Sequence, residues 1–160
     1  MEARLNLGLR VARAGAIAAL ALAGCSSSTT DPAPTAAPKS ATQTIGPEGG
    51  VINVEGAEVT FPKGAVKAAV AITIEATDEA PPAGFEALSK VIRCEPSGTS
   101  FDVPVTMRMT FTPDGKAATM FWSSPEQPAF TDVGGAIDGA KMSAPVKHFS
   151  RGFVGRAKPQ

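Results

Sequence analysis

Few residues in this 160-residue sequence could perform catalytic or metal chemistry. It contains one histidine, His148, and two cysteines, Cys25 and Cys94. A zinc site needs three or four His, Cys or acidic ligands at short spacings, and a Ser-His-Asp hydrolase usually carries its serine in a nucleophile elbow. The sequence has neither pattern, and it lacks an EF-hand loop and a phosphate-binding glycine loop. We therefore expect no metal, no cofactor and no hydrolysis of an external substrate.

Cys25 follows a segment with the composition of an export signal. Three arginines lie among the first 13 residues, ahead of an apolar run of 11 residues from Ala14 to Gly24. That run is too short to cross a bilayer as a helix, since a span needs about 20 residues. The order of a positive segment, an apolar run and small residues is typical of a signal peptide.

The end of this segment, Leu22-Ala23-Gly24-Cys25, resembles the lipobox of bacterial lipoproteins. The resemblance implies that residues 1–24 are removed and that Cys25 carries lipid on its thiol, with palmitate or a similar acyl group on its amine in many bacteria. Membrane lipid would then be a partner, and the protein would reside at the bacterial cell envelope. Ser26 follows the cysteine, which favours the outer membrane in a Gram-negative cell. The alternative is an ordinary secretory signal followed by a chance cysteine.

Residues 25–43 have the composition of a linker. The stretch from Ser26 to Gln43 contains no large apolar residue and carries three prolines. It cannot bury enough surface to offset the entropy of ordering, so we expect a disordered tether that ends at Thr44. With Cys25 acylated, Cys94 would have no partner for an intramolecular disulfide.

The sequence after this linker alternates apolar and polar residues with a period of two. The clearest stretch is 105–111, where every odd position is apolar. The same alternation occurs in 57–61, 70–77 and 140–147. Pro145 marks the last of these stretches as an edge strand. Cys94 shares the inward phase of Ile92, which predicts a buried thiol.

Turn residues separate these stretches, and no segment offers an amphipathic helix longer than a turn or two. Short strands with frequent turns predict an all-β fold, an antiparallel β-sandwich of about eight to ten short strands. We place this domain at residues 44–155 and treat residues 156–160 as a tail.

Three motifs within this domain resemble the ZU5 domain, the β-sandwich of ankyrins, netrin receptors and tight-junction scaffold proteins. The motifs are a glycine-rich opening at 45–50, a Phe-Pro-Lys-Gly-Ala-Val corner at 61–66, and the segment 96–105 that leads into a strand. The resemblance covers about residues 44–154 and implies a non-enzymatic scaffold whose partner is not transferable. We expect a binding or structural module at the envelope, with an unknown protein or polysaccharide partner. Phe61, Phe101 and Trp122 are expected to fill the sandwich.

The tripeptide His148-Phe149-Ser150 is the one motif that suggests a reaction. In some ZU5 proteins a His-Phe-Ser tripeptide cleaves itself between Phe and Ser, and the resemblance implies the corresponding roles here. Ser150 would attack the Phe149 carbonyl in an N-to-O shift, and His148 would take its proton. Water would then hydrolyse the ester and free an eleven-residue tail.

The phase of the apolar residues slips by one position at this tripeptide. Val146 and His148 share the inward phase, but the next large apolar residue is Phe149, and Phe153 keeps the phase of Phe149. A β-bulge produces such a slip and could supply the strain that self-cleavage requires. The bulge can equally be a structural corner that anchors the last strand. We expect the corner, with Phe149 buried and the chain uncleaved.

The composition also limits the class of partner. The chain has 15 basic and 15 acidic residues, so nothing in its charge favours nucleic acid. A carbohydrate-binding module is a further alternative, because many of them are β-sandwiches. However, the sequence has no tyrosine and a single tryptophan, which supplies an aromatic sugar platform poorly. That alternative requires Trp122 to lie on the surface beside Phe121.

Overall fold

The computed structural model describes residues 36–124 and 129–159. The predictions for the signal peptide, the lipidated Cys25 and most of the linker therefore lie outside the described residues. Within the described ranges, no helix is long and apolar enough to cross a membrane.

The described residues form twelve strands and no helix. The strands are β1 (Ser40–Ile45), β2 (Gly50–Val54), β3 (Ala57–Phe61), β4 (Val70–Thr77), β5 (Phe85–Ala87), β6 (Val91–Glu95), β7 (Ser100–Thr110), β8 (Thr119–Ser123), β9 (Phe130–Gly134), β10 (Ala136–Asp138), β11 (Lys141–His148) and β12 (Arg151–Ala157). The all-β prediction is confirmed, but the strand count exceeds the eight to ten expected. Strands β5 and β10 have three residues each, too few to show an alternation in the sequence.

The strands pair antiparallel and form two sheets. The seven-stranded sheet has the order β1-β4-β6-β12-β8-β9, with β5 also paired to β12. The five-stranded sheet has the order β10-β11-β7-β3-β2. Since one apolar core joins residues of both sheets, the predicted antiparallel sandwich is confirmed.

The folded domain begins before the predicted boundary at Thr44. Residues 40–43, which the sequence analysis assigned to the linker, belong to β1 and pair with β4. In β1 only Ile45 is buried, because β1 is an edge strand whose other side chains are exposed or partly exposed. Its sequence therefore lacks the alternation of a core strand. At the other end β12 continues to Ala157, so the first two residues of the predicted tail belong to the sheet.

A single apolar core fills the space between the sheets, and the alternating stretches supply it as predicted. The side chains of Val59, Ile72, Ile74, Cys94, Val105, Met107, Met109 and Met142 are all fully buried there. Ala140 is an exception, because it is an exposed turn residue that precedes β11. Cys94 is buried and free, as predicted, and its burial raises the pKa of the thiol.

A second apolar cluster covers part of the outer face of the seven-stranded sheet. It contains the buried residues Val91, Phe121 and Phe153, with Phe85 and Phe130 packed against them and partly exposed. Phe149 belongs instead to the main core. The prediction that Phe153 shares the phase of Phe149 is therefore wrong, because the chain changes sheets between the two residues.

Strand β11 is paired with a strand on each side over its first three residues only. Residues 141–143 pair with β10, whereas Pro145 pairs with Thr106 of β7 and lies beyond the end of β10. The edge-strand prediction thus holds at Pro145 but not for the whole strand. The register with β7 shifts between Val146 and His148, one step before the bulge predicted at residues 148–150, and the extra residues lie on β7 rather than on β11.

Candidate functional site at the sheet crossover

The tripeptide His148-Phe149-Ser150 connects the two sheets. Strand β11 of the five-stranded sheet ends at His148, and β12 of the seven-stranded sheet begins at Arg151. Phe149 and Ser150 therefore form the crossover. This change of sheet accounts for the slip in apolar phase.

Hydrogen bonds from two neighbouring segments hold the backbone of this crossover. The Phe149 N–H donates to the Thr99 carbonyl at 2.8 Å, and the Gly98 N–H donates to the Phe149 carbonyl at 2.9 Å. Gly98 has a positive φ of 83°, a conformation that glycine adopts without strain. The Cys94 N–H donates to the Ser150 carbonyl at 2.8 Å. The peptide bond between Phe149 and Ser150 is thus fixed by contacts with the Pro96–Val105 segment and with β6.

The Phe149 ring is fully buried between rings from two of the sequence motifs. Its centroid lies 4.7 Å from that of Phe101 and 5.9 Å from that of Phe61, both in edge-to-face geometry. Other backbone bonds join the motifs to one another. The Gly64 N–H donates to the Pro47 carbonyl at 2.7 Å, and the Asp102 N–H donates to the Ala65 carbonyl at 3.2 Å. The three motifs therefore meet at one end of the sandwich, around Phe149.

All three motifs lie in a part of the chain that matches a known domain family. Residues 41–122 match the ZU5 domain family, and that segment is just over half of the 160-residue chain. The chain belongs to the ZU5 domain family. ZU5 domains are protein–protein interaction modules. No curated protein matches the sequence significantly.

The match to the ZU5 domain begins three residues before the expected start at Thr44 and ends at Trp122. It includes all three motifs, whereas the His148-Phe149-Ser150 tripeptide lies beyond its end. The end of the match also leaves out β9 to β12, which complete both sheets in this protein.

The Ser150 hydroxyl of this ZU5 domain pairs with another serine. Its Oγ lies 2.6 Å from the Ser123 Oγ, and both side chains are buried. The Ser123 hydroxyl also donates to the Arg151 carbonyl at 3.1 Å and accepts the Arg151 N–H at 3.3 Å. Ser123 was not predicted from the sequence, because it lies on β8, 27 residues from Ser150, in no recognisable motif.

His148 does not occupy the position predicted for a general base. It is partly exposed, and its Nδ1 is buried without a hydrogen-bond partner among the described residues. Its carbonyl accepts the Trp122 Nε1–H at 3.1 Å. Within the described ranges no hydrogen bond joins the imidazole to the Ser150 hydroxyl, which is engaged by Ser123. The three residues are adjacent in sequence, but among the described residues they do not form the base–nucleophile pair that self-cleavage would require.

An open polar cavity of about 330 Å³ lies beside the crossover. Ser123 and Ser150 line it together with Arg93, Glu95 and Arg151. No spacing in the sequence suggested this cavity, since β6, β8 and β12 each supply one or two of its residues.

The remaining predicted site residues fall in two groups. Cys25 lies outside the described residues. Trp122 and Phe121 are both buried, so they do not form the exposed aromatic platform that a carbohydrate-binding module would need. Within residues 36–124 and 129–159, no three His, Cys, Asp or Glu side chains are placed to hold a metal ion.

Proposed function

We propose that this protein is a cell-envelope lipoprotein whose ZU5 domain is held at a membrane by acyl groups on Cys25. In this proposal the domain is a non-enzymatic module that binds a protein or serves a structural role. The observation that carries the anchoring is Leu22-Ala23-Gly24-Cys25, placed directly after an arginine-bearing segment and an apolar run. The observation that carries the binding role is membership of the ZU5 family.

The chemistry of acylation supports a stable anchor. Each buried methylene contributes about 0.8 kcal/mol, and two or more chains make membrane attachment durable. Fourteen residues, Ser26 to Lys39, separate Cys25 from β1. A proline-containing segment of that length reaches about 45 Å when fully extended as polyproline, which would hold the domain clear of lipid headgroups.

The location of the chemically reactive side chains supports a non-enzymatic role. Cys94, the one thiol of the domain, is buried in the core, where burial raises its pKa and disfavours the nucleophilic thiolate. The His148 imidazole is not bonded to the Ser150 hydroxyl within the described residues. Neither group is placed for turnover of an external substrate.

The anchoring is tested by metabolic labelling with a fatty acid, followed by separation of membrane and soluble fractions. We expect the wild type to carry label and to sediment with membranes, and Cys25→Ala to lose both. Cys94→Ala is the matched control, because it removes the other cysteine and should keep label and membrane retention. Label retained in Cys25→Ala would contradict the lipoprotein proposal.

We propose the outer membrane as the destination in a Gram-negative cell, because Ser26 rather than Asp follows the acylated cysteine. The test compares wild type with Ser26→Asp by separating inner and outer membranes by density. The wild type should be found with the outer membrane, and the variant should shift toward the inner membrane. An identical distribution of the two proteins would contradict this part of the proposal.

Self-processing at the Phe149–Ser150 bond is a second candidate function, favoured by one contact. The Gly98 N–H that binds the Phe149 carbonyl oxygen would stabilise negative charge on that oxygen during attack. The Ser150 Oγ would form a bond to the Phe149 carbonyl carbon, and its proton would pass to His148 after a rotation of the imidazole, directly or through the Ser123 hydroxyl. The C–N bond would break as the nitrogen takes that proton from His148. Water would then hydrolyse the ester to a Phe149 carboxylate and restore the Ser150 hydroxyl.

Cleavage would not release the eleven-residue tail that the sequence analysis expected. Strand β12 pairs with β6, β8 and β5 inside the seven-stranded sheet, so the fragment would stay bound in the folded protein. The test must therefore use mass spectrometry under denaturing conditions. We expect one intact mass, because His148 is not placed to accept the Ser150 proton. A break after Phe149 that Ser150→Ala abolishes would instead establish self-processing.

A further inference from the structure

The polar cavity beside the crossover has charged walls and a hydroxyl floor. On β6, Ile92 and Cys94 face the core, so Arg93 and Glu95 lie on the outer face of the sheet. Ser123 and Ser150 lie beneath them and are the two buried polar side chains among the described residues. Burial of a hydroxyl has a cost unless it is hydrogen-bonded, and here the bond between the two serines and the bonds of Ser123 to the Arg151 backbone offset that cost.

The hydrogen bonds of these serines leave the Ser150 oxygen with unused capacity. Each hydroxyl has one proton to donate and two lone pairs to accept with. If Ser123 donates to the Arg151 carbonyl, Ser150 donates to Ser123 and keeps both lone pairs free. If Ser123 donates to Ser150 instead, the Ser150 proton is free. Only the second arrangement lets Ser150 donate a hydrogen bond to a carboxylate in the cavity, with Ser123 donating to Ser150 in place of the Arg151 carbonyl.

Two arginines provide positive charge at the same place. Arg93 lies directly opposite Arg151 in the pairing of β6 with β12, so their positive charges repel each other. The Glu79 carboxylate, 3.0 Å from Arg93 and 3.8 Å from Arg151, partly offsets this repulsion. Each guanidinium has five N–H groups, and both side chains remain about 40% exposed, so donors are left for a second carboxylate.

Glu95 provides negative charge two residues along the strand from Arg93. One of its carboxylate oxygens accepts the Ser97 N–H at 2.6 Å, which holds the side chain at the edge of the cavity. In a strand, the Cα atoms of residues two apart lie on one face and about 7 Å from each other, so the Arg93 and Glu95 side chains start from neighbouring positions on the outer face. The cavity therefore presents opposite charges at a separation that a molecule with a carboxylate and an ammonium group on one carbon can bridge with a hydrogen bond at each end.

We propose that this cavity is a binding site for a small zwitterionic amino acid. The carboxylate binds Arg93, Arg151 and the Ser150 hydroxyl, and the ammonium group binds Glu95. The volume of about 330 Å³ is at the small end of ligand sites, and the polar lining selects against large apolar side chains. This inference goes beyond the proposed function and does not depend on acylation of Cys25.

The test is a titration followed by the backbone amide signals of Ser123 and Arg151 in nitrogen–proton correlation spectra. The protein is the full-length chain with Cys25→Ala, so that no acyl group is added. The probe is glycine, raised to about 100 mM to detect millimolar affinity. We expect saturable shifts of both signals with glycine and binding about tenfold weaker with acetate or methylammonium, which each carry one of the two charges. Sodium chloride at equal concentration controls for salt.

Three variants of the same chain sharpen the test. Arg93→Gln should weaken both glycine and acetate, and Glu95→Gln should reduce glycine affinity to that of acetate. Arg156→Gln is the matched control, since Arg156 is also an ion-paired arginine on the seven-stranded sheet but lies outside the cavity, and it should bind glycine as before. The proposal is overturned if glycine shifts neither signal. It is also overturned if Arg93→Gln binds glycine as Arg156→Gln does, or if Glu95→Gln leaves glycine affinity unchanged.

Discussion

The protein contains two aromatic clusters that differ in how they are enclosed. The inner cluster consists of Phe61, Phe101 and Phe149, which lie between the two sheets. The outer cluster consists of Phe85, Phe121, Phe130 and Phe153, which lie on the outer face of the seven-stranded sheet. Every ring of the inner cluster is buried, whereas Phe85 and Phe130 of the outer cluster are partly exposed.

The difference indicates a division of roles between the clusters. The inner rings come from the ZU5 motifs and the crossover, so they join segments that are distant in sequence. The outer rings cover one face of strands that are already paired to each other. We therefore expect the inner cluster to contribute more to the stability of the fold than the outer cluster.

The largest effect is expected from Phe149→Ala in the full-length Cys25→Ala chain. The substitution empties a fully enclosed site between Phe61 and Phe101, and large-to-small changes of a buried phenylalanine cost about 3–5 kcal/mol. The measurement is the free energy of unfolding from a urea or guanidinium titration. A loss below about 1.5 kcal/mol would show that the crossover relaxes around the cavity and that the inner cluster is not the stronger of the two.

A somewhat smaller loss of unfolding free energy is expected from Gly152→Ala, a substitution in β12, which lies between the two clusters. A Cβ at this position would lie 2.1 Å from Trp122 Cε3 and 2.6 Å from the Phe121 carbonyl oxygen. Overpacking of this kind typically costs about 1–3 kcal/mol, and the contact with the backbone places this substitution at the upper end. Gly46→Ala is the control, because a Cβ there meets nothing within 4 Å. Equal stability of the two variants would contradict the close packing of β12 against β8.

The inner cluster was predictable from the sequence, and the outer cluster was not. The motifs that contain Phe61 and Phe101 were recognisable, and alternation gave the inward phase of Cys94 and of strands such as β4 and β7. The outer rings occupy positions where a period of two predicts polar residues, so the alternation did not identify them as a cluster. The extent of β1 was missed for the same reason, since a mostly exposed edge strand has no apolar phase.

The candidate site was predictable only as far as it is contiguous in sequence. His148, Phe149 and Ser150 are neighbours, and burial of Phe149 was expected from its large apolar ring despite the slip in phase. The residues that line the cavity with Ser150 come mostly from β6, β8 and β12, and their convergence depends on the strand order β6-β12-β8. No spacing encodes that order, because the three strands are separated by other elements of varying length.

A smaller effect again is expected from Phe130→Ala in the outer cluster. The ring is partly exposed, packs against Phe153 at a centroid distance of 5.3 Å, and lies under the Arg151 guanidinium at 5.6 Å. Loss of partial burial and of an exposed cation–π contact should cost about 1–2 kcal/mol. The measurement is the same unfolding titration, with Phe149→Ala as the comparison. A loss equal to that of Phe149→Ala would show that the two clusters contribute equally to stability, contrary to the order expected here.

The smallest effect is expected from a surface carboxylate, Asp78. Its contribution to stability depends on pH, so a pH titration distinguishes it from the contributions of the two apolar clusters. Hydrogen bonds from Lys39 and then Lys90, with their charges, lower the pKa of Asp78 from 3.8 to about 2. The folded-state pKa is depressed, so the ionised carboxylate stabilises the fold above about pH 4, and this stabilisation is lost as the pH falls toward 2. Because Asp78 is exposed, solvent and salt screen the contribution, and it should be small beside that of any phenylalanine.

The corresponding measurement follows the unfolding midpoint between about pH 4 and pH 2 for wild type and Asp78→Asn. The wild-type midpoint should fall more steeply, since only the wild type has this carboxylate to protonate. The difference between the two curves should shrink at about 1 M salt, because the screening length falls to about 3 Å and the ion pairs of Asp78 are exposed to solvent. Parallel curves at low salt would show that the ion pairs of Asp78 do not stabilise the fold. A steeper fall that persists at high salt would mean that the pair is shielded from solvent, contrary to its exposure in the structure.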